Sequence, residues 1–337
     1  MVKDLVRRAY NGINYLLTGE VAAPAGSTTQ IQYNDAGNMA GDSNLIWDKT
    51  SRQLEVGAAT GNGAISIYGD TTDPVAEPGK AILYAKNIAS RIMLKWVGPA
   101  GLDMPIQACL GMNGIKQVAP ASGTTAATCM TAFATAFTNV ASTLTQVVVS
   151  SASIKTRMRS VTLSTNATTG AITSHRSTVQ EVISVGGYFF IERIYLSAMQ
   201  TGNRGFFGLW GNASVATNVD PLTSFAVAKV GLAFNTNTGN WKIVCSSITA
   251  ITSVDLGATM PLNITDVMEL ILFCPPGSTS IGYRVSNLTT GAIVSGTLST
   301  NTPPTTTALA VNNWMTNNTT AGVVTFGLNK WYLESDY

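Results

Sequence analysis

Gly187-Tyr188-Phe189-Phe190-Ile191-Glu192-Arg193-Ile194-Tyr195-Leu196 is followed, after a short turn, by Arg204-Gly205-Phe206-Phe207-Gly208-Leu209-Trp210. Both runs are short, dense in aromatic and aliphatic residues, and bounded by glycine and asparagine, so they read as β-strands. Neighbouring residues of a strand point to opposite faces. One member of Phe189-Phe190 and one of Phe206-Phe207 therefore turns away from its own core, which predicts a second apolar surface and hints at an oligomeric interface.

Outward from these runs the same character recurs in Gln146 to Ser150, Ser153 to Leu163, Thr178 to Ile183, Ala226 to Asn235, Trp241 to Ser246, Asp266 to Cys274, Ile281 to Asn287, Ala292 to Leu298 and Val323 to Leu333. Turn signals such as Asn237-Thr238-Gly239-Asn240 and Thr289-Thr290-Gly291 separate them. Many short strands without an intervening helical pattern predict an all-β chain. Its carboxyl-terminal part, residues 121–337, is expected to be a β-sandwich of jelly-roll or lectin-like type. The boundary is placed where Ala121 to Thr145 becomes rich in Ala and Thr. Met130, Phe133 and Phe137 there are spaced for a short helix or an irregular connector.

The composition narrows the classes of function. Of 337 residues only 11% are charged, 20 Lys+Arg against 18 Asp+Glu, for a net charge of +2, while 45% are apolar. The apolar fraction is enough for a packed core, so disorder is excluded. The small net charge speaks against an electrostatic nucleic-acid binder or a polybasic membrane-surface protein. A surface this poor in charge is hard to keep soluble alone, which predicts that identical subunits or a larger particle cover much of it. Val267 to Cys274 is the most apolar later run, but it contains Glu269 and stops at Pro275-Pro276. That is far short of the roughly 20 residues a membrane helix needs, so no membrane insertion is expected.

At the amino end, Leu5, Val6, Ala9, Ile13 and Leu16 recur at helical spacing within Lys3 to Leu17. A lone helix of that length is marginal in water and must dock, so residues 1–25 are read as a helical anchor and linker. Lys3, Arg7 and Arg8 before Ala9 imitate a secretory leader, but Asp4, Asn11, Gly12 and Asn14 interrupt it, and no leader is expected. Residues 26–120 are read as a small β-rich region containing a hairpin from Leu45 to Gly57 about the polar turn Asp48 to Arg52, then a short strand from Ala64 to Tyr68.

Within that region stands Gln30-Ile31-Gln32-Tyr33-Asn34-Asp35-Ala36-Gly37-Asn38-Met39-Ala40-Gly41, followed by Leu45-Ile46-Trp47-Asp48. This pattern resembles one found repeatedly in bacteriophage tail-fibre, spike and other virion proteins, where it lies near an amino-terminal attachment region. Leu83 to Arg91, Lys95 to Asp103, Pro275-Pro276-Gly277-Ser278, Tyr283-Arg284-Val285, Asn287 to Gly291 and the terminal Glu334-Ser335-Asp336-Tyr337 resemble further segments of such proteins. The resemblance implies a homotrimeric fibre or spike subunit located in the virion, held to capsid, portal or tail proteins by its amino-terminal region and contacting a host surface glycan or protein. It supplies no catalytic residues. A capsid or tail decoration protein is the alternative, and a polysaccharide-cleaving spike a third.

The residues offer little for catalysis, and no cofactor or metal is expected. His175 is the single histidine and stands in the turn-like run Thr173 to Ser177, which gives a nucleophile no base. Gly57, Gly61 and Gly63 have the wrong spacing for a phosphate loop. Cys109, Cys129, Cys245 and Cys274 lie far apart, without zinc or redox spacing, and read as small buried hydrophobes. A glycosidase needs two carboxylates about 5 to 10 Å apart; the candidate pairs are Glu181 with Glu192, Asp266 with Glu269, and Glu334 with Asp336. Lys155, Arg157 and Arg159 alternate, so on a strand they would share one face and meet an anion or a neighbouring subunit.

Overall fold

The computed structural model describes residues 30–35, 38–48, 50, 53–56, 65–97, 103–105, 114–121, 130–214, 218–224 and 226–335. The expected anchor helix, with Leu5, Val6, Ala9, Ile13 and Leu16, lies outside them, as do Cys109, Cys129 and Asp336. The chain forms two compact units, Met1–Tyr68 and Gly69–Tyr337.

In the first unit β1 (Gln30–Asp35), β2 (Asn38–Asp48) and β3 (Gln53–Val56) make an antiparallel sheet in that order. The expected hairpin is present, with Leu45 opposite Val56 and Asp48 opposite Gln53. Its turn is set by the Asp48 carboxylate, which accepts the Thr50 N–H at 2.8 Å.

The second unit begins with a four-stranded sheet: β4 (Gly69–Asp70), β5 (Ile82–Ile88), β6 (Arg91–Val97) and β7 (Asp103–Pro105). Then follow β8 (Gly114–Pro120), β9 (Met130–Phe133), β10 (Phe137–Val140), β11 (Thr143–Val147), the helical turn α1 (Ile154–Arg157), β12 (Ser160–Ser164) and β13 (Ile172–Ser177). They continue as β14 (Val182–Ile183), β15 (Tyr188–Ala198), β16 (Arg204–Trp210), β17 (Lys229–Phe234), β18 (Lys242–Ser246) and β19 (Ile251–Asp255). Last come β20 (Val267–Cys274), β21 (Ile281–Asn287), β22 (Ile293–Leu298), β23 (Ala308–Thr316) and β24 (Thr325–Ser335).

These strands build two antiparallel sheets. One runs β10-β13-β23-β16-β17-β18-β19, with β14 also on β23; the other runs β11-β12-β24-β15-β20-β21-β22, with β8 on β24 and β9 on β8. The sheets enclose one core that takes Phe207, Leu209, Val230 and Leu232 from the first, Trp241 from just before β18, and Phe190, Ile194, Leu270, Leu272, Phe326 and Trp331 from the second. Each fully buried side chain of this size stabilises the sandwich by about 1.5–3 kcal/mol. The expected all-β class and sandwich are what the chain forms.

Several expectations change in detail. Part of the Ala/Thr-rich stretch belongs to the sandwich, because β9 within it pairs with β8 before it, Val118 opposite Ala132, and β8 joins β24 of the same sheet. Its Met130, Phe133 and Phe137 lie on strands, not on a helix. Residues 65–68 are irregular. The outward aromatics of the opening runs are covered within the chain: Phe189 packs with Ala89 and Ile271, while Phe206 packs with Trp210, Leu222 and Trp314. The segment carrying Leu222 also caps Lys229, whose ammonium lies 5.0 Å from the Trp210 ring centre and donates to the Ser224 carbonyl. They therefore do not supply the expected oligomeric surface.

Candidate functional site

A groove of about 420 Å³ lies on the outer face of the β21–β22 hairpin. Alternation along β21 sends Gly282, Arg284 and Ser286 outward, and the register sets Thr297, Ser295 and Ile293 of β22 opposite them. The far wall is the turn joining β5 to β6. Ile88 pairs with Arg91, and the two residues between, Ala89 and Ser90, both have positive φ, 54° and 70°. A two-residue turn with two positive φ values suits the twist of a hairpin and usually calls for Asn or Gly. Here Asn87 steadies it, its side-chain carbonyl accepting the Ser90 N–H at 2.9 Å. Gly282 lets the turn descend onto the sheet, since a Cβ there would lie 2.0 Å from the Ala89 carbonyl oxygen.

Arg91, at the foot of the same turn, fastens it. Its two terminal nitrogens donate to both Glu334 oxygens at 3.0 and 2.7 Å, and its guanidinium lies 4.5 Å from the Phe189 ring centre and 5.7 Å from that of Phe273. The Glu334 side chain is only 3% exposed. A buried, bidentate pair stacked on two rings fixes geometry strongly, because either charge left alone would stay desolvated. The groove wall is thus held in place by a residue of β24.

Five of the six carboxylates considered for glycoside chemistry lie among the described residues, and each has its own structural partner. Glu334 belongs to the Arg91 clamp. Glu181 pairs with Lys116 at 3.2 Å and accepts the Thr135 hydroxyl. Asp266 accepts the side-chain amides of Asn263 and Asn287 at 3.0 and 2.7 Å, whereas Glu269 pairs with Arg193. Glu192 is fully buried inside the sandwich, where it accepts the Asn313 amide. Burial pushes its carboxyl up to about 8 against that hydrogen bond.

His175 stands on β13, not in a turn. Trp331 donates to its Nε2 at 2.9 Å, and its Nδ1–H donates to the side-chain carbonyl of Asn139 at 2.8 Å. Burial holds the imidazole down to about 3, so it is a neutral structural group.

The cationic row also resolves differently. Lys155 and Arg157 belong to α1, because Thr156 ties the chain into a turn by accepting the Ser153 N–H at 3.2 Å. The Lys155 ammonium lies 5.1 Å from the Tyr195 ring centre and donates to the Leu196 carbonyl at 2.9 Å, and burial lowers its pKa against the pull of Asp266. Arg157 and Arg159 are exposed. The strand face of three like charges does not form. Among the described residues no cluster of three or more His, Cys, Asp or Glu could hold a metal ion, and no helix is long and apolar enough to cross a membrane.

Residue-by-residue reading missed Arg284, Ser295, Thr297, Asn87 and Ser90 as a group, because they come from hairpins about two hundred residues apart in the chain. Yet the resembling segments converge here. Asn87, Ala89 and Ser90 of the first such segment and Tyr283 and Arg284 of another line the groove, and Arg91 with Pro276, Glu334 and Ser335 lines a smaller cleft of about 60 Å³.

No family model matches the chain, and no curated protein matches it. Among solved structures, a Shewanella oneidensis protein of unknown function is similar at TM-score 0.45 and 8% identity, covering 68% of this chain and 90% of that one. Peanut lectin with a bound nonapeptide is similar at TM-score 0.38 and 10% identity, over 60% of this chain and 97% of the lectin. A carbohydrate esterase of a Shiga toxin-encoding bacteriophage is similar at TM-score 0.37 and 11% identity, over 60% and 91%. At such values the β-sandwich assignment stands on the strand pairing of this chain itself.

Proposed function

We propose that the protein is a non-enzymatic structural subunit of a bacteriophage virion, a trimeric fibre or spike that meets the host surface through the groove between the β5–β6 turn and the β21–β22 hairpin. The observation that supports this reading is the convergence just described: segments that resemble phage virion proteins, far apart in sequence, come together around Arg91 and the groove. The division into two units accords with it, because the Gln30 to Asp48 pattern lies in the first and the groove in the second. Engagement of Glu181, Glu192, Asp266, Glu269 and Glu334 in separate structural contacts favours binding over hydrolysis.

Full-length protein incubated with susceptible cells should adsorb and should compete with infection. Absence of adsorption at saturating concentration would reject the host-contact role. Particles made without it that adsorb normally but fall apart on mild heating would identify a decoration protein instead. Sedimentation should give three chains per particle, and a stable monomer at micromolar concentration would reject the trimer.

A further inference from the structure

The polar inventory of the groove is one-sided. Arg284, the hydroxyls of Thr71, Ser90, Ser295 and Thr297, and the Asn87 amide line it, and none of the described lining residues is acidic. Arg284 sits on the outer face with Ile271 on one side and Ser295 on the other. Its Nε is buried and has no hydrogen-bond partner among the described residues. A desolvated guanidinium N–H left unmatched is costly.

The neighbouring cations are committed elsewhere, Arg91 to Glu334 and Lys86 to Asp73. Asp70, beside Thr71, directs its carboxylate to the amides of Thr71 and Thr72. The groove therefore offers a cationic donor in need of an acceptor, next to several hydroxyls, which suits an anion. Ile293, 54% exposed, offers an apolar contact at the same opening.

We infer that the groove binds an acidic sugar residue of a surface polysaccharide, with Arg284 taking its anionic group and Ser295, Thr297 and Asn87 its hydroxyls. The volume lies within the range of small-ligand sites. A guanidinium grips a carboxylate or a phosphate through a planar fork, which a lysine does not reproduce. This inference rests on the groove being the host-contact site and adds to it the charge of the ligand.

The test uses full-length protein and three probes: an oligogalacturonate, a mannose-phosphate and a neutral maltooligosaccharide, each titrated by calorimetry. The expected result is saturable binding of an acidic probe, the carboxylate or the phosphate arm showing which anion is preferred, that weakens with added salt and is absent for the neutral one. Arg284→Met should weaken it about tenfold or more, and Arg284→Lys should restore it only in part. Ser295→Asp, at an exposed position where folding is little affected, should weaken it through repulsion. Equal binding of the neutral probe, no binding of either acidic probe, or unchanged binding by both Arg284→Met and Ser295→Asp would overturn the inference. Adsorption to cells is measured in parallel: adsorption that persists without acidic-probe binding rejects only the ligand class, and acidic-probe binding without adsorption rejects only the host-contact role.

Discussion

Trp331 of one sheet donates its indole N–H to Nε2 of His175 in the other, across the middle of the sandwich, at 2.9 Å. One cross-strand neighbour of Trp331 is Glu192, and one of His175 is Asn313, which donates to Glu192. Two polar bridges thus stand side by side between the layers. Asn313 completes the set by accepting the Gly208 N–H at 3.1 Å. These bonds fix how the layers face each other, since any slip would strand their donors and acceptors in an apolar core.

The two titratable members give opposite pH dependences. His175 is held at about 3, below its ordinary 6.5, so the unfolded chain takes up the proton first and stability falls as pH drops from about 6.5 towards 3. Glu192 is raised to about 8 from 4.5, so the unfolded chain releases its proton first and stability falls as pH climbs from about 4.5 to 8. Glu192→Gln should therefore gain stability over the parent at pH 8.5 and show little gain at pH 4.5. Thermal unfolding of both at the two pH values is the check, and an equal difference at both would show that Glu192 is ionised in the folded protein.

The Arg91–Glu334 clamp should behave as one unit. Arg91→Ala or Glu334→Ala alone should destabilise the fold by about 3–5 kcal/mol, because the surviving charge stays buried. The double variant should lose clearly less than the sum. Additive losses in a denaturant-based cycle would mean the two charges do not depend on each other.

Gly282→Ala places a methyl where the Ala89 carbonyl now sits, 2.0 Å away. The β5–β6 turn must then lift, at a cost of about 1–3 kcal/mol, and the groove must widen. Faster protease cleavage near Ser90 in the variant is the expected signature; an unchanged cleavage rate would show that the turn is not seated by Gly282.

Cys245 and Cys274 are buried, and burial pushes the Cys245 thiol up to about 11 and raises that of Cys274. Neither should react with a disulfide reagent until the protein is unfolded. Rapid labelling of either in the native state, located by peptide mapping, would contradict their placement.

Much of the sandwich was legible because its strands alternate or run apolar between strong turn signals. Arg204–Trp210 and Ile281–Asn287 fall where the pattern put them. The central strand β23 was missed: Asn312 and Asn313 break its apolar run, and they do so because Asn313 serves the inter-sheet bridge. His175 was misplaced for the same reason, a polar residue in a buried strand whose partners lie in other strands. The cationic row was misread because local Ser and Thr hydrogen bonds turned a strand-like alternation into a helical turn. The groove required knowing which hairpins meet, and only the pairing of distant strands reveals that.

The pairing order has a consequence for how the protein comes into being. β23 lies between β13 and β16, and β24 lies between β12 and β15 while its far half pairs with β8, Trp331 opposite Val118. Each layer thus receives a central strand from the stretch Ala308–Ser335. A nascent chain still lacking that stretch has two half-sheets with open edges and no closed core, so assembly must wait until translation has passed it. Such late closure makes folding slow and the growing chain dependent on protection from aggregation.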